Sequence, residues 1–370
     1  MSDKINKEIW KLGFGYMRLP RKGDGFDSDQ IRRMADKFIE SGGTYFDAAF
    51  VYEGAEVELR ESVIKRYPRE TVQIATKLNL NFIETPEQMI EQFKTSLDRL
   101  GTDYIDFYLL HGISSRLADK IDKLGAWDFL KDLKAKGLIR HMGFSFHGPP
   151  EDLEDILSQH PEAEFCQLQI NYLDWDNPKV NSRKQYEIAR NHDVPIIIME
   201  PVKGGMLTGE ASPIAKLLYE ANPNASLASW ALRYAAQLDG VLVTLSGMSS
   251  YEQLSDNVET FKGFKPLSKD EKAVLNAAVS IFNAVPRIAC TTCRYCVNDC
   301  PANIPIPTII DIYNSYLVHN TVTNLDHGYK LWTRNAGKAG DCTACRTCEG
   351  ICPQKLDIVD TLAKASALFD

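Results

Sequence analysis

The sequence predicts an α/β fold, a (β/α)8 TIM barrel followed by a smaller, mainly helical unit. Short apolar, β-rich runs alternate with amphipathic helical patterns over roughly the first 265 residues. The Gly-rich turn that is typical of a doubly wound sheet is missing. Eight of the nine cysteines lie between residues 290 and 352, which indicates a separate module. We therefore predict two domains, residues 1–270 and 271–370.

Eight strands can be read in order along the first domain, each followed by a helical pattern. One such helix opens on Thr85 and Pro86 and closes on Gly101. The predicted strands are 11–17, 44–49, 72–77, 104–111, 139–145, 165–171, 195–201 and 241–247. Eight strand–helix units in about 250 residues are typical of a (β/α)8 barrel. A doubly wound sheet is the alternative, but the G-F-G at 13–15 does not open a helix.

Composition and charge argue against several classes of protein. Of the 370 residues, 44% are hydrophobic and 25% are charged, as in globular rather than disordered chains. A net charge of −8 disfavours binding to nucleic acid. No run approaches the roughly 18 apolar residues of a membrane span, and the charged start MSDKINKEIWK lacks the apolar core of a secretory signal. We expect a cytoplasmic protein with no nucleic-acid partner and no membrane span.

Polar residues stand at the carboxyl ends of the predicted strands, where (β/α)8 barrels carry their active sites. They are Asp47, Lys77, His111, Ser145, Gln169 with Asn171, Glu200 and Ser246, with Tyr52 in the loop after the second strand. A tyrosine with an ordinary pKa of about 10 is a poor acid at neutral pH. An ammonium at Lys77 would lower that pKa by stabilising the phenolate, and Asp47 can hold the lysine.

His111 completes this group, since it can hydrogen-bond a substrate oxygen or relay a proton. Each residue alone also has a structural explanation, and a lone histidine is most often a satisfied core residue. Four such residues at successive strand ends predict protonation of a carbonyl oxygen while a bound reductant delivers a hydride.

The same residues resemble the catalytic residues of the aldo/keto reductases. The run FDAAFVYEGAE places Asp47 and Tyr52 five residues apart, ATK ends at Lys77 and YLLH ends at His111. The resemblance covers about residues 8–265 and includes the order and approximate spacing of all four. It implies a barrel that reduces carbonyls with a nicotinamide cofactor. In that reaction Tyr52 is the general acid/base, Lys77 tunes it, Asp47 supports Lys77 and His111 orients the carbonyl.

The resemblance also implies where NADH or NADPH binds. The expected cofactor-binding residues are Ser145, Gln169, Asp256 and Asn257. Phe146 follows Ser145 where the family usually has Asn, and Met199 stands where a stacking aromatic is usual. Gly247 and Gln253 replace the Lys and Arg that commonly hold a 2′-phosphate. The choice between NADH and NADPH therefore stays open, with weak nicotinamide binding or a different reductant as alternatives.

The clustered cysteines form two copies of one motif, C-x2-C-x2-C-x3-C-P. The copies hold Cys290, Cys293, Cys296 and Cys300, then Cys342, Cys345, Cys348 and Cys352. Three thiolates at this spacing wrap one face of an iron–sulfur cluster, and in two-cluster ferredoxins the fourth ligates the other cluster. The motif thus predicts two [4Fe-4S] clusters. The predicted ligand sets are Cys290, Cys293, Cys296 and Cys352 for one, and Cys342, Cys345, Cys348 and Cys300 for the other.

Two alternatives to clusters are weak. Zinc sites usually take pairs of thiolates with a long spacer, and disulfides need an oxidising compartment. The cysteine segment resembles bacterial two-cluster ferredoxin domains over about residues 280–365, so we expect a ferredoxin-like iron–sulfur domain. The 41 residues between Cys300 and Cys342 are long for the compact version and more like the helix-rich domains of larger redox enzymes.

The chain as a whole resembles the aldo/keto reductases that carry a C-terminal ferredoxin-like domain. The leading hypothesis is an oxidoreductase that interconverts a small-molecule carbonyl and an alcohol, with two clusters for electron transfer. A hydride carries two electrons and each cluster carries one, so direct coupling needs a converter such as a flavin, for which no signature is present. In one alternative the barrel docks a redox protein partner and the four residues are not catalytic. In another the clusters are structural or sense oxygen.

Overall fold

The computed structural model describes residues 5, 9–23, 25–178, 180–210, 212–290, 292–352 and 354–370. The chain folds as two compact units, Met1–Val202 with Ala228–Leu267 and Lys203–Leu227 with Ser268–Asp370. The second unit thus includes Lys203–Leu227, which lie in the sequence between the seventh and eighth barrel strands. The predicted domain limit between residues 270 and 271 stays a prediction.

In the described part of the first unit, eight parallel strands close into a barrel. They are β1 Leu12–Gly15, β2 Tyr45–Asp47, β3 Gln73–Leu78, β4 Ile105–Ile113, β5 Ile139–Phe146, β6 Phe165–Gln169, β7 Ile196–Met199 and β8 Val241–Gly247. Phe14 of β1 lies beside Ser246 of β8 on one side and Phe46 of β2 on the other, which closes the ring. The predicted barrel is confirmed.

Helices surround the barrel and make up most of the second unit. They are α1 Ser28–Glu40, α2 Ala55–Leu59, α3 Pro86–Leu100, α4 Ala118–Leu124, α5 Ala126–Ala135, α6 Pro150–Gln159, α7 Ser182–Asn191, α8 Ala215–Ala221, α9 Leu227–Ala236, α10 Tyr251–Lys262, α11 Lys269–Ala284, α12 Tyr295–Asn298, α13 Ile306–His319, α14 Leu325–Thr333, α15 Thr347–Ile351 and α16 Ile358–Phe369. Over the described residues, no helix combines the length and the apolar character needed to cross a membrane.

Local sequence explains the helix ends. At the start of α3 the backbone N–H of Thr85 donates to the Gln88 side chain at 3.2 Å, and Pro86 occupies the first turn. The helix ends where Gly101 takes a φ of 64°, a left-handed conformation that glycine adopts without strain.

Apolar side chains fill the barrel interior beneath the polar residues at the strand ends. This apolar layer is formed by Tyr45, Ala75, Phe107, Leu109, Phe165, Ile197, Val243 and Leu245. Successive strand residues point to opposite faces, so a residue two positions further along points the same way. Asp47 follows Tyr45 in this manner, and Lys77 follows Ala75. The barrel therefore directs these polar side chains inward, above a packed floor.

The second unit has its own core. Among the described residues it consists of helices and loops around an apolar cluster that includes Ile309, Tyr329 and Leu362. The expected mainly helical character is confirmed. The two short helices α12 and α15 begin directly after Arg294 and Arg346, which have φ values of 66° and 61° and occupy the same place in the two cysteine motifs.

Candidate functional site

A buried ion pair forms the base of the barrel site. The Lys77 Nζ of β3 donates to Asp47 Oδ1 at 2.7 Å and to the Ala48 carbonyl at 2.6 Å. The side chains of Lys77 and Asp47 are 1% and 6% exposed. Gln167 of β6 donates to the second Asp47 oxygen at 3.3 Å. Because a buried charge is tolerated only when it is paired and hydrogen-bonded, this arrangement fixes the ammonium in position.

The pair keeps Lys77 charged. Burial opposes the charged form of Lys77, but Asp47 together with Tyr52 outweighs it and raises the pKa of the lysine. Burial also raises the pKa of Asp47, against the stabilising effect of Lys77. The ion pair therefore favours the charged form of Lys77 next to Tyr52.

Tyr52 lies above this cation. The Lys77 Nζ is 5.2 Å from the centroid of the Tyr52 ring, and the Tyr52 and His111 rings meet edge to face with centroids 5.9 Å apart. Burial raises the pKa of Tyr52, and this outweighs the lowering by Lys77; Asp47 also raises it. The sequence predicts a lowered pKa for Tyr52. The sign of the lysine effect is as expected, but the depth of burial reverses the net result.

His111 is a neutral base with an unsatisfied ring nitrogen. Within the described residues its Nδ1 is buried and has no hydrogen-bond partner. Burial lowers the pKa of His111 to about 3, and Lys77 and His147 add to the shift. A buried polar atom without a partner is uncommon and is a place where a ligand oxygen or nitrogen fits. The imidazole can therefore hydrogen-bond a bound molecule without carrying charge.

Two of the expected cofactor-binding residues lie at strand ends and already have protein partners. Ser145 Oγ accepts from the Gly112 N–H at 2.8 Å. The Gln169 amide nitrogen donates to Asp174 Oδ2 at 2.8 Å, and Asn171 donates to the same oxygen at 2.7 Å. Asp174 therefore orients the Gln169 amide at the end of β6.

The other two expected residues lie next to each other on α10. Asn257 is buried and donates from Nδ2 to Ser246 Oγ at 2.9 Å, so it joins α10 to the end of β8. Asp256 is half-buried beside it. Contact of these two residues with a cofactor stays a prediction.

Sequence reasoning missed several residues of the site. Gln167 shares the inward face of β6 with Gln169, so strand alternation could have found it. Asp174 and Arg18 gave no such signal, because each acts from a loop or turn. Glu200 was placed at a strand end, and it adopts a φ of 56° directly after β7. Together with Arg18 it contributes to the electrostatic environment of Tyr52.

In the second unit, the clustered cysteines line two open cavities. One of about 340 Å³ is lined by Cys290, Cys293, Cys296 and Cys352. The other, of about 320 Å³, is lined by Cys300, Cys342, Cys345 and Cys348. The same crossed sets follow from the motif spacing. Pro353, which closes the second motif, lies outside the described residues.

Apolar side chains complete the lining of both cavities. Ile310 and Ile358 line the first, and Ile306 and Leu362 line the second. Among the described residues, no three His, Cys, Asp or Glu side chains converge closely enough to hold one metal ion. Four thiols around an apolar cavity match the donor set of a [4Fe-4S] cluster.

The backbone of both cysteine loops has the same unusual shape. Thr292 and Arg294 have φ values of 54° and 66°, and Ala344 and Arg346 have 56° and 61° at the corresponding places. Left-handed residues within such turns direct backbone N–H groups into a concavity that favours anions, iron–sulfur clusters included. The loop geometry therefore agrees with the thiol arrangement.

Comparison with protein families agrees with both units. The model of the aldo/keto reductase family matches residues 11–280. This chain belongs to the aldo/keto reductase family. It is accordingly an oxidoreductase enzyme. A second model, described as a 4Fe-4S dicluster domain, matches residues 289–357 of this aldo/keto reductase.

Individual proteins similar to this aldo/keto reductase are also described as oxidoreductases or aldo-keto reductases. A Bacillus subtilis protein described as uncharacterized oxidoreductase YqkF is 24% identical over 299 residues, which are 72% of this chain and 92% of the relative. The holo form of aldo-keto reductase AKR11C1 from Bacillus halodurans is 27% identical, with a TM-score of 0.59 over 72% of this chain and 91% of that one. An aldo-keto reductase from Klebsiella pneumoniae in complex with NADPH is 21% identical, with a TM-score of 0.58 over 73% and 90%. The last likeness shows the fold alone.

Proposed function

We propose that this aldo/keto reductase interconverts a carbonyl and an alcohol with a nicotinamide cofactor, and that its second unit carries two [4Fe-4S] clusters. The Lys77–Asp47 ion pair, buried beneath Tyr52 and His111, carries the proposal for the barrel. Membership of the aldo/keto reductase family over residues 11–280 supports a nicotinamide as the reductant. The substrate is a small molecule, because the reacting groups lie inside the barrel mouth.

Tyr52 is the proposed acid of the reduction. When bound, the nicotinamide supplies a hydride to the carbonyl carbon. The Tyr52 hydroxyl gives its proton to the carbonyl oxygen, and in alcohol oxidation it takes that proton back. The raised pKa keeps the Tyr52 hydroxyl protonated but weakens it as an acid, so the lowering effect of Lys77 on this pKa assists proton release. Lys77 stabilises the phenolate that forms, and Asp47 keeps the lysine in place.

His111 orients the substrate in this proposal. As a neutral imidazole it can donate a hydrogen bond to the carbonyl oxygen beside Tyr52. Ser145, Gln169, Asp256 and Asn257 are the proposed contacts to the nicotinamide cofactor, either NADH or NADPH. The oriented amide of Gln169 supports this assignment, since a fixed amide recognises a fixed hydrogen-bonding group.

The proposed cluster ligands are the two crossed cysteine sets. When bound, the clusters supply one-electron transfer. The thiols hold the irons, and the apolar lining limits access of water. A redox protein partner that exchanges single electrons with the clusters is part of the proposal. We place the protein in the cytoplasm, where thiols stay reduced.

The first test uses the whole chain, purified without oxygen. Iron analysis should give about eight irons per chain, four for each cluster. NADH and then NADPH are added, and electron paramagnetic resonance follows cluster reduction. A rapid signal would connect the clusters to the nicotinamide and make flavin analysis the next step. With no signal but clusters reducible by a low-potential donor, the electrons have another source.

Turnover of an aldehyde panel with each nicotinamide tests the barrel chemistry. The Tyr52→Phe variant should lose carbonyl reduction and keep its full iron content. Retained turnover in this variant would contradict acid catalysis by Tyr52. Absence of turnover in the unmodified chain, together with cluster reduction by an electron donor, would favour an electron-transfer protein with a docking barrel.

A further inference from the structure

Tyr52 is carried by the segment between β2 and α2, and the start of this segment is fastened to β3. The Ala48 N–H donates to the Ala75 carbonyl at 2.8 Å. The Ala48 carbonyl accepts from Lys77 Nζ at 2.6 Å. Lys77 therefore holds the first residue of the segment as well as facing the Tyr52 ring.

The middle of the segment is fastened to α3. Arg99 donates from Nη1 to the Phe50 carbonyl at 3.1 Å. Its guanidinium also lies over the Phe50 ring, 4.4 Å from the centroid. The same Nη1 is 3.3 Å from Glu56 Oε2. One arginine thus connects the middle of the segment with its far end.

Glu56, in the first turn of α2, fastens the far end to the outer face of β3. Its side chain is 2% exposed, and its Oε1 accepts from the Thr76 hydroxyl at 2.7 Å. Thr76 and Lys77 are adjacent in β3 and point to opposite faces. β3 therefore contacts both ends of the Tyr52 segment. Its inward-facing Lys77 binds the Ala48 carbonyl, and its outward-facing Thr76 binds Glu56.

Tyr52 itself has few fixed neighbours along the chain. Its backbone makes local turn hydrogen bonds to Ala49 and Ala55 at 2.9 and 3.0 Å. Gly54 follows with a φ of 72°. A loop of this kind needs outside contacts to hold a reacting group, and displacement by 1 Å can lower a rate by roughly a hundredfold.

We propose that Glu56 and Arg99 are positioning residues that set the distance between the Tyr52 hydroxyl and Lys77. This inference rests on the proposed carbonyl chemistry. Neither residue touches the reacting groups. They act by tying the Tyr52 segment to the strand that bears Lys77, so that the ammonium stabilises the phenolate at a fixed range.

The test compares Glu56→Gln and Arg99→Lys with a matched control, Asp106→Asn. Glutamine keeps an acceptor for Thr76 but loses the charge toward Arg99, and lysine cannot reproduce the guanidinium contacts. Asp106 is also a buried carboxylate, 2.6 Å from Arg69 and 2.7 Å from Arg140. It lies near the start of β4, away from the strand ends that form the site.

Two readouts separate positioning from simple stability. The chain has 15 tyrosines, so Tyr52 is identified in chains with 13C-labelled tyrosine as the signal lost in Tyr52→Phe. We expect the Tyr52 titration to move to higher pH in both test variants. Arg99→Lys keeps the positive charge, so it separates displacement of Tyr52 from the direct effect of the Glu56 charge on Lys77. We also expect kcat to fall on the order of tenfold with a smaller change in KM. Asp106→Asn should lower stability without changing either readout.

Destabilisation with an unchanged Tyr52 titration and unchanged kcat in both test variants would overturn the inference. If one variant fails to fold, the other decides. Failure of the proposed function looks different: the unmodified chain and Tyr52→Phe would then be equally inactive, while the titration of Tyr52 would still respond to Arg99→Lys if the segment is held as described.

Discussion

The barrel mouth and the cysteine unit hold their functional groups in opposite ways. At the mouth, Lys77 is fixed by Asp47 and Ala48, and Asp47 also accepts from Gln167. These contacts belong to the fold itself, because every partner is a side chain or backbone group of the barrel. The barrel site is therefore organised in advance, as electrostatic catalysis requires.

In the cysteine unit the thiols surround cavities, and the loops that carry them are strained. Thr292, Arg294, Ala344 and Arg346 all have positive φ, a conformation that costs a non-glycine residue about 1–3 kcal/mol. Such a conformation persists only where its surroundings enforce it. The difference indicates that contacts within the fold hold the barrel site, whereas the proposed clusters would stabilise the strained cysteine loops.

Iron removal is the strongest way to test this difference. We expect an iron-depleted chain to lose hydrogen-exchange protection over residues 268–370 while the barrel strands keep theirs, because cluster binding and folding are coupled. Cys296→Ala should act in the same direction. Cys166→Ala, which removes a buried thiol in β6, should leave iron content unchanged. Unchanged protection after iron removal would show that the cysteine unit is organised in advance as well.

Removal of the Tyr52 hydroxyl tests the chemistry proposed for the barrel site. Tyr52→Phe should lower kcat/KM for carbonyl reduction on the order of 10²–10⁴-fold, the usual contribution of a general acid. The barrel should unfold as before, since the ring is retained. Tyr108→Phe is the matched control, because Tyr108 is a fully buried tyrosine of β4 whose hydroxyl has no partner among the described residues. A similar loss in both variants would mean that packing, rather than proton transfer, had been changed.

The pH dependence of barrel stability should reveal the cost of holding His111 neutral. Its pKa is lowered from 6.5 to about 3, so the unfolded chain binds the extra proton first as pH falls. Stability is complete above 6.5 and should decline below it by at most about 1.4 kcal/mol per pH unit.

Urea unfolding of the barrel between about pH 4 and 7 measures this slope. His111→Asn should reduce it, because this variant removes the imidazole whose pKa is lowered on folding. An equal slope in the unmodified chain and His111→Asn would assign the acid sensitivity to other groups.

The sequence predicted the parts of the fold that depend on periodicity and spacing. Strand alternation and strand order place Asp47 and Lys77 at neighbouring strand ends, and in the structure they are paired. The C-x2-C-x2-C-x3-C spacing predicts that the fourth cysteine of each motif joins the first three of the other. In the structure Cys300 and Cys352 each line the cavity formed by the other motif.

The features that could not be predicted depend on how deeply a side chain is buried and on contacts between residues that are far apart in the sequence. The net pKa of Tyr52 depends on burial, which no motif encodes. The link from Thr76 through Glu56 to Arg99 joins residues 20 and 43 positions apart. The inclusion of residues 203–227 in the second unit was also not foreseen, because their sequence lies between two barrel strands.

The smallest expected effect concerns the charges near one cluster. Arg346 lines the second cavity and pairs with Glu349 at 3.1 Å, whereas Arg294, its counterpart in the first motif, has Val297 at the place of Glu349. Removing the carboxylate in Glu349→Gln should raise the potential of the cluster proposed on Cys300, Cys342, Cys345 and Cys348, because less negative charge then opposes its reduction. The glutamine oxygen can still accept from the Val359 N–H, as Glu349 does at 2.9 Å.

Pairing with Arg346 offsets part of the carboxylate charge and keeps this shift small, although the Glu349 side chain is only 17% exposed and is weakly screened by solvent. A potentiometric titration followed by electron paramagnetic resonance measures it. Asp360→Asn removes a more exposed ion pair with Lys364 on α16, in which neither residue lines a cavity, and should change the potentials less. If Glu349→Gln and Asp360→Asn move the potentials equally, the effect is one of overall charge. A larger shift in Glu349→Gln means that individual side chains of the cysteine unit set the electrostatics of the proposed cluster.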